Sequence, residues 1–202
     1  MTCTEKIKRK IKSLDYNKTI SFSTLKTKEV SIDTTRKVLH RLHDDGFITI
    51  VDRGCFKREK QFNELLFVYG SLKKGFDNHS LLGKSAKRLG KAHTVKKFGM
   101  YEDTFGNYPY LLDAPLKKIN GELYQITRAE LLKKIDEFEG VPEYYQREKI
   151  EVKSHHGVQR AFVYIQKTAE IPADQEALKE WSNNTDYKVK KLYKHLDTMI
   201  NN

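Results

Sequence analysis

The chain has 202 residues, with 38 Lys/Arg against 27 Asp/Glu and a formal net charge of +11. That length supports one or two domains with a proper core, and no apolar run approaches a membrane span, so no membrane partner is expected. The first sixteen residues, MTCTEKIKRKIKSLDY, hold no uninterrupted apolar stretch and do not read as a secretory signal; Cys3 and Cys55 form no metal or redox spacing, which makes a reduced, cytoplasmic protein the expectation.

The positive charge is uneven. Residues 1–60 carry 15 Lys/Arg and 8 Asp/Glu, a net of +7, leaving +4 for the other 142 residues. Such asymmetry points either to a segment that faces nucleic acid or to a solvated basic surface. The spacing of Ile7, Ile11 and Leu14 predicts a first helix over about Glu5 to Leu14, and a short second helix follows around Phe22 to Leu25. Ser31 is placed to cap a longer helix over 32–46, which Gly46 ends and which buries Val38, Leu39 and Leu42. Two short strands, 47–51 and 55–59, flank the tight turn Asp52-Arg53-Gly54.

That order is the plan of a winged helix-turn-helix, in which the third helix enters the major groove and the hairpin lies along the backbone. The stretch TTRKVLHRLHDDGFITIVDRGCFKRE, residues 34–59, also resembles the winged-helix domain of AbiEi-type antitoxins and transcriptional regulators. The resemblance implies groove or phosphate contacts from Thr34, Arg36, Lys37 and Arg41, and wing contacts from Arg53 and Lys57. Duplex DNA is then an expected partner of residues 1–60. Each of these side chains alone also fits a solvated surface charge, and a winged helix can serve only for protein docking.

The domains read as 1–62, a winged helix-turn-helix; 65–170, a small mixed α/β barrel-like domain; and 171–202, a helical extension, so the class is α+β. Residues 60–65, KQFNEL, form a polar joint. Beyond it, strands are expected at 66–70, 121–126, 148–152 and 161–165, with helices at 174–181 and 185–200. The last of these carries Val189, Leu192, Tyr193, Leu196 and Ile200 as an apolar stripe suited to covering the domain or pairing with a second copy or a companion protein.

In 67-FVYGSLKKG-75, Gly70 and Gly75 have the glycine spacing of a phosphate loop. Such a loop needs Lys and then Ser/Thr directly after the second glycine, and here Phe76 and Asp77 follow. A nucleotide is therefore not expected. Downstream, the helix 127-TRAELLKKIDEFEG-140 opens on a Thr127/Glu130 capping box and closes on Gly140. At about 100° per residue, Leu131, Leu132, Ile135 and Phe138 share a face, and Glu139 falls inside the same arc. A carboxylate there is costly unless paired or used, and burial would make it a proton shuttle near neutral pH. The alternative is that the helix frays and Glu139 reaches water.

The segments FVYGSLKKGFDNHSLL, YPYLL and GELYQITRAELLKKIDEFEGVPEYYQRE, in that order, are similar to the γ-glutamylcyclotransferase-like superfamily and closest to its γ-glutamylamine cyclotransferase and AIG2-like branch, over about residues 66–166. Leu72 stands where the glutathione-type members carry Asn. The resemblance implies that Tyr69, Gly70, Ser71 and Leu72 form a loop binding a γ-glutamyl amine or amide. It makes Glu139 the acid/base of a cyclisation to 5-oxoproline and a free amine, with no metal or cofactor. Tyr145 and Arg147 would line the pocket, or merely pack and pair at the surface. His79 reads as a structural or rim residue, and His155 and His156, in an expected hairpin turn, lack a third metal ligand nearby. Glu102 and Asp103 mark an acidic loop. Three functions stay open: a cyclising enzyme with an accessory DNA-binding domain, a DNA-binding regulator that senses a γ-glutamyl ligand, and an antitoxin-type assembly protein.

Overall fold

The computed structural model describes all residues except 17, 26–29, 61, 104–106 and 183–202. Two compact units emerge, one of residues 1–63 with 126–129 and one of 64–125 with 130–202.

In the first unit, α1 (Cys3–Lys12) starts two residues earlier than the apolar spacing predicts. Thr2 caps it: the Glu5 carboxylate accepts from the Thr2 N–H at 2.7 Å, and the Glu5 N–H donates to Thr2 Oγ1 at 3.2 Å. The expected second helix is a single 3₁₀ turn, Phe22–Leu25, preceded by the three-residue strand β1 (Thr19–Ser21), too short to leave a periodic signal. Ser31 caps α2 (Ile32–Asp44), and Thr35, Val38, Leu39 and Leu42 are its buried face. The helix ends in a Schellman motif: the Phe47 N–H donates to the Leu42 carbonyl and the Gly46 N–H to that of His43. Gly46 takes the left-handed φ of +69° that this closure requires. β2 (Ile48–Asp52) and β3 (Cys55–Arg58) form the hairpin, and β1 joins β3 to give a three-stranded antiparallel sheet in the order β1-β3-β2. Ile7, Ile11, Leu25, Leu39, Leu42, Ile48 and Phe56 make this unit's core.

The second unit is built on a closed five-stranded barrel. Its strands are β4 (Glu64–Val68), β5 (Ala86–Thr94), β8 (Asn120–Ile126), β9 (Gln146–Ser154) and β10 (Gly157–Ile165), arranged β10-β4-β8-β5-β9. β6 (Phe98–Glu102) and β7 (Pro109–Lys117) form a separate antiparallel pair. Because β4 lies parallel beside β10, it needs apolar residues on consecutive positions; Leu66, Phe67 and Val68 are all buried. Phe67, Met100, Leu111, Leu123, Val152, Val163 and Trp181 fill the interior. Among the described residues, one α-helix, α3 (Ala129–Glu139), belongs to this architecture.

Several expectations are corrected. Strand β4 begins inside the joint predicted over 60–65. β5, β6 and β7 were not anticipated, and Glu102 is a buried strand residue accepting from Trp181 Nε1 at 3.1 Å, not part of a loop. Residues 174–181 are not helical. Their backbone bonds run outward instead: the Leu178 N–H donates to the Met100 carbonyl, and the Lys179 carbonyl accepts from Asn120. With Ala177 and Trp181 each buried separately, this stretch is stitched along the sheet rather than wound on itself. The helix expected over 185–200 and its apolar stripe lie outside the described residues.

Candidate active site

A cavity of about 440 Å³ opens between the segment after β4, the end of α3 and the end of β10. Its walls include Tyr69, Gly70, Ser71 and Leu72 on one side and Glu139 and Tyr145 on the other. The binding and acid/base residues expected from the sequence therefore converge on one hollow.

The loop begins where β4 leaves the barrel. Tyr69 is fixed first, its hydroxyl donating to the Tyr164 carbonyl at 2.9 Å. The chain then turns: the Lys73 N–H donates to the Gly70 carbonyl at 3.0 Å, and the Asn78 N–H to that of Ser71 at 3.2 Å. Gly70 is required for a steric reason, since a Cβ there would sit 2.9 Å from Cγ of Pro109. His79 Nδ1 donates to the Leu72 carbonyl at 3.0 Å, which ties this histidine to the loop backbone. Among the described residues, the N–H groups of Ser71 and Leu72 carry no hydrogen bond. Two vacant donors on a segment that lines a cavity are available to a carbonyl oxygen or an oxyanion.

Glu139 owes its position to the way α3 stops. The Val141 N–H donates to the Asp136 carbonyl and the Gly140 N–H to that of Glu137, a second Schellman closure with Gly140 at φ +64°. This keeps the last turn wound, and the carboxylate stays half-buried against the cavity instead of fraying into water. No hydrogen bond or ion pair to the Glu139 carboxylate occurs among the described residues. Burial alone pushes its pKa from the ordinary 4.5 up to about 7. Phe138, expected on the buried stripe, is 45% exposed. At the final turn it lies beyond the barrel contact and lines the cavity instead.

Tyr145 is buried, and burial followed by the nearby Glu139 charge pushes its hydroxyl well above the usual tyrosine range, so it stays protonated. Arg147 is turned to structure: it pairs with Asp136 at 2.6 Å and lies over the Phe162 ring, while Asp136 also accepts from the Tyr164 hydroxyl at 2.8 Å. That network braces α3 one turn before Glu139. Lining residues without an assigned role in the sequence include Tyr108, Pro109, Tyr144, Tyr164 and Gln166. The motif YPYLL contained the first two; only the fold shows that they face the loop. Asp103 holds Tyr108 by accepting from its N–H at 3.0 Å.

Of the residues expected to meet DNA, all in the first unit, Arg36, Lys37 and Arg41 are exposed on α2 and Thr34 is half-buried in its first turn. Arg36 reaches Asp33 at 3.5 Å. Arg53 is exposed in the hairpin turn and Lys57 is partly exposed on β3. His155 and His156 occupy the turn between β9 and β10 with ring centroids 3.8 Å apart. Among the described residues no cluster of His, Cys, Asp and Glu could hold a metal ion, and no helix is long and apolar enough to cross a membrane.

Residues 66–184 match the family model described as gamma-glutamyl cyclotransferase, AIG2-like. The chain is 36% identical over 112 residues to a gamma-glutamylaminecyclotransferase of Bos taurus, covering 51% of this chain and 66% of the bovine protein. Gamma-glutamylaminecyclotransferase B of Danio rerio is 32% identical over 142 residues, covering 64% of this chain and 73% of the fish protein. The crystal structure of an AIG2-like protein from Mus musculus superposes with a TM-score of 0.55 at 28% identity, covering 62% of this chain and 92% of that one. The match to the bovine relative thus falls just short of two thirds of that protein's length.

Proposed function

We propose that this chain, which belongs to the gamma-glutamyl cyclotransferase, AIG2-like family, converts a γ-glutamyl amine into 5-oxoproline and the free amine, with Glu139 as the acid/base. The observation that carries this reading is the unpaired Glu139 carboxylate, with its pKa raised to about 7, in the cavity lined by residues 69–72.

The chemistry follows from that placement. The substrate's α-ammonium cannot attack until it loses a proton, and ionised Glu139 takes it. The freed amine then attacks the side-chain γ-carbonyl, forming the ring C–N bond. The carbonyl oxygen gathers negative charge as it does so, and the vacant N–H groups of Ser71 and Leu72 face that charge, each such donor being worth roughly 3 kcal/mol. Glu139 returns its proton to the departing nitrogen as the old amide C–N bond breaks; ionised again, it takes the second proton from the ring nitrogen, which leaves with the released amine as its ammonium. One carboxylate serves both steps, and no water is consumed. A pKa near 7 suits both directions of transfer, because neither protonation state is rare at neutral pH. Protonated Tyr145 donates to whichever oxygen approaches it, and the walls hold the substrate folded so that its amine lies near its own carbonyl. Release of 5-oxoproline from γ-glutamyl amines, lost in Glu139→Gln, is the test.

A second reading concerns the first unit. Its order of helix, turn, capped helix and hairpin, with Arg36, Lys37 and Arg41 exposed along α2 and Arg53 in the hairpin turn, supports a winged helix-turn-helix that binds duplex DNA. The protein would then be a cyclotransferase joined to a DNA-binding module, or a regulator or antitoxin-like protein whose second unit senses a γ-glutamyl ligand or assembles with another copy. Binding of residues 1–63 to duplex DNA, measured across salt concentrations, decides between DNA contact and a merely basic surface.

A further inference from the structure

We propose that Glu122, acting with Tyr124 and His79, is a positioning residue that clamps the loop of residues 70–75 in the shape that presents the Ser71 and Leu72 N–H groups to the substrate. This rests on the cyclotransferase reading of the cavity, but Glu122 and Tyr124 do not line that cavity.

Glu122 lies on β8 with only 9% of its surface exposed. A carboxylate on a barrel strand is expensive unless its acceptor sites are filled. Here one donor is a backbone N–H of the loop, and the others come from strands β5 and β8 of the barrel. Oε2 accepts from the Lys74 N–H at 2.9 Å and from the Tyr124 hydroxyl at 2.8 Å. Oε1 accepts from Arg88 Nε at 3.0 Å and Nη2 at 2.6 Å. The Tyr124 ring stands 5.9 Å from that of His79, whose Nδ1 holds the Leu72 carbonyl. Leu72 and Lys74 are therefore tied to one network on opposite sides of Lys73. The Lys73 ammonium is itself anchored on the Trp181 carbonyl at 2.5 Å. A loop whose peptide groups are fixed at both ends holds its remaining N–H groups still, which is what a preformed oxyanion cradle needs.

Glu122 and Glu139 are set in opposite ways. Burial pushes the Glu122 carboxyl up, but Arg88, the Lys74 N–H and the Tyr124 hydroxyl outweigh it and leave the group below its usual range. It therefore stays ionised while Glu139, which has burial and no donors, titrates. The clamp stays closed across the pH range in which the acid/base works.

Glu122→Gln tests this, since an amide NH₂ would oppose two donors whichever way it is turned. With a γ-glutamyl amine as substrate, kcat/KM is expected to fall at least tenfold while the pH midpoint set by Glu139 stays near 7. Amide exchange at Lys74 should quicken at least tenfold, with the strand amides of Leu66–Val68 unchanged. Tyr124→Phe, which removes a single hydroxyl, should give a smaller change in both readouts, and the two substitutions combined should cost less than their sum. An unchanged kcat/KM and unchanged Lys74 exchange would overturn the proposal. So would exchange that quickens equally throughout the barrel, which would make Glu122 a fold residue only. If the wild-type protein releases no 5-oxoproline, the cyclotransferase reading fails, and the exchange data still decide whether Glu122 orders the loop.

Discussion

Replacing Glu139 by Gln should stabilise the second unit, and only at neutral and higher pH. In the unfolded chain this carboxyl titrates at its ordinary 4.5, and in the folded protein at about 7. Below pH 4.5 both states hold the proton and the site costs nothing. Between 4.5 and 7 the unfolded chain releases it and the folded one does not, so wild-type stability falls as pH rises. Above 7 the penalty is complete, about 3 kcal/mol at about 1.4 kcal/mol per pH unit. Because the group is half-buried and water relieves part of the cost, about 2 kcal/mol is the expected gain for the neutral amide, or roughly 5 °C in melting temperature for a unit of this size. The single tryptophan, Trp181, is buried in the barrel core, so its fluorescence follows the second unit without interference from the first. Denaturant titrations at pH 5 and pH 8 give the difference directly. A gain equal at both pH values, or a variant less stable than wild type at pH 8, would refute the argument that Glu139 is held unpaired and desolvated.

Further outcomes follow from the same geometry. The logarithm of kcat/KM should climb with unit slope up to about pH 7 and then flatten, as a base with the raised pKa of Glu139 requires; a profile flat from pH 5 to 8 would exclude that group. Gly140→Ala and Gly157→Ala both place a side chain at positive φ and should each cost about 1 kcal/mol in unfolding assays. Only Gly140→Ala should also cut kcat/KM tenfold or more, because its Cβ meets Tyr144 at 2.7 Å beside Glu139 while the space at Gly157 is open. For residues 1–63, removing Arg36, Lys37 and Arg41 together should lower the salt slope of duplex DNA binding by about three. A slope unmoved by the triple change would place any contact elsewhere.

Much of the candidate site was legible because its signals are local. Glu139 could be singled out from the helical arc of α3, and the stop at Gly140 from its position after the last apolar turn; the Schellman bonds of that closure explain why the helix does not fray. The motif around Tyr69 to Leu72 marked the loop in the same way. What stayed hidden depends on partners distant in the chain. Nothing near Gly70 announces that Pro109 will press against it, and Glu122 meets Arg88 across 34 residues. Strand β5, AKRLGKAHT, is half-exposed and carries Lys87, Arg88 and Lys91 around a lone Gly90, so it lacks an alternating stripe. β7 is broken by Pro109, Asp113 and Pro115. The helix expected over 174–181 failed for the converse reason. Ala177, Leu178 and Trp181 have helical spacing, but Ala177 packs with Tyr101 and Leu112 while Leu178 and Trp181 pack on the barrel core, and the backbone finds partners in the strands.

The central claim is that Glu139 moves the protons of a γ-glutamyl cyclisation. The most direct measurement is 5-oxoproline formation from a panel of γ-glutamyl amines by the wild-type protein and by Glu139→Gln at pH 7.5, with the fold of the variant checked by Trp181 fluorescence. The account predicts release by the wild type, and a loss of at least a hundredfold in a variant that is folded and more stable. Equal release by both proteins would contradict it and move the chemistry to another group.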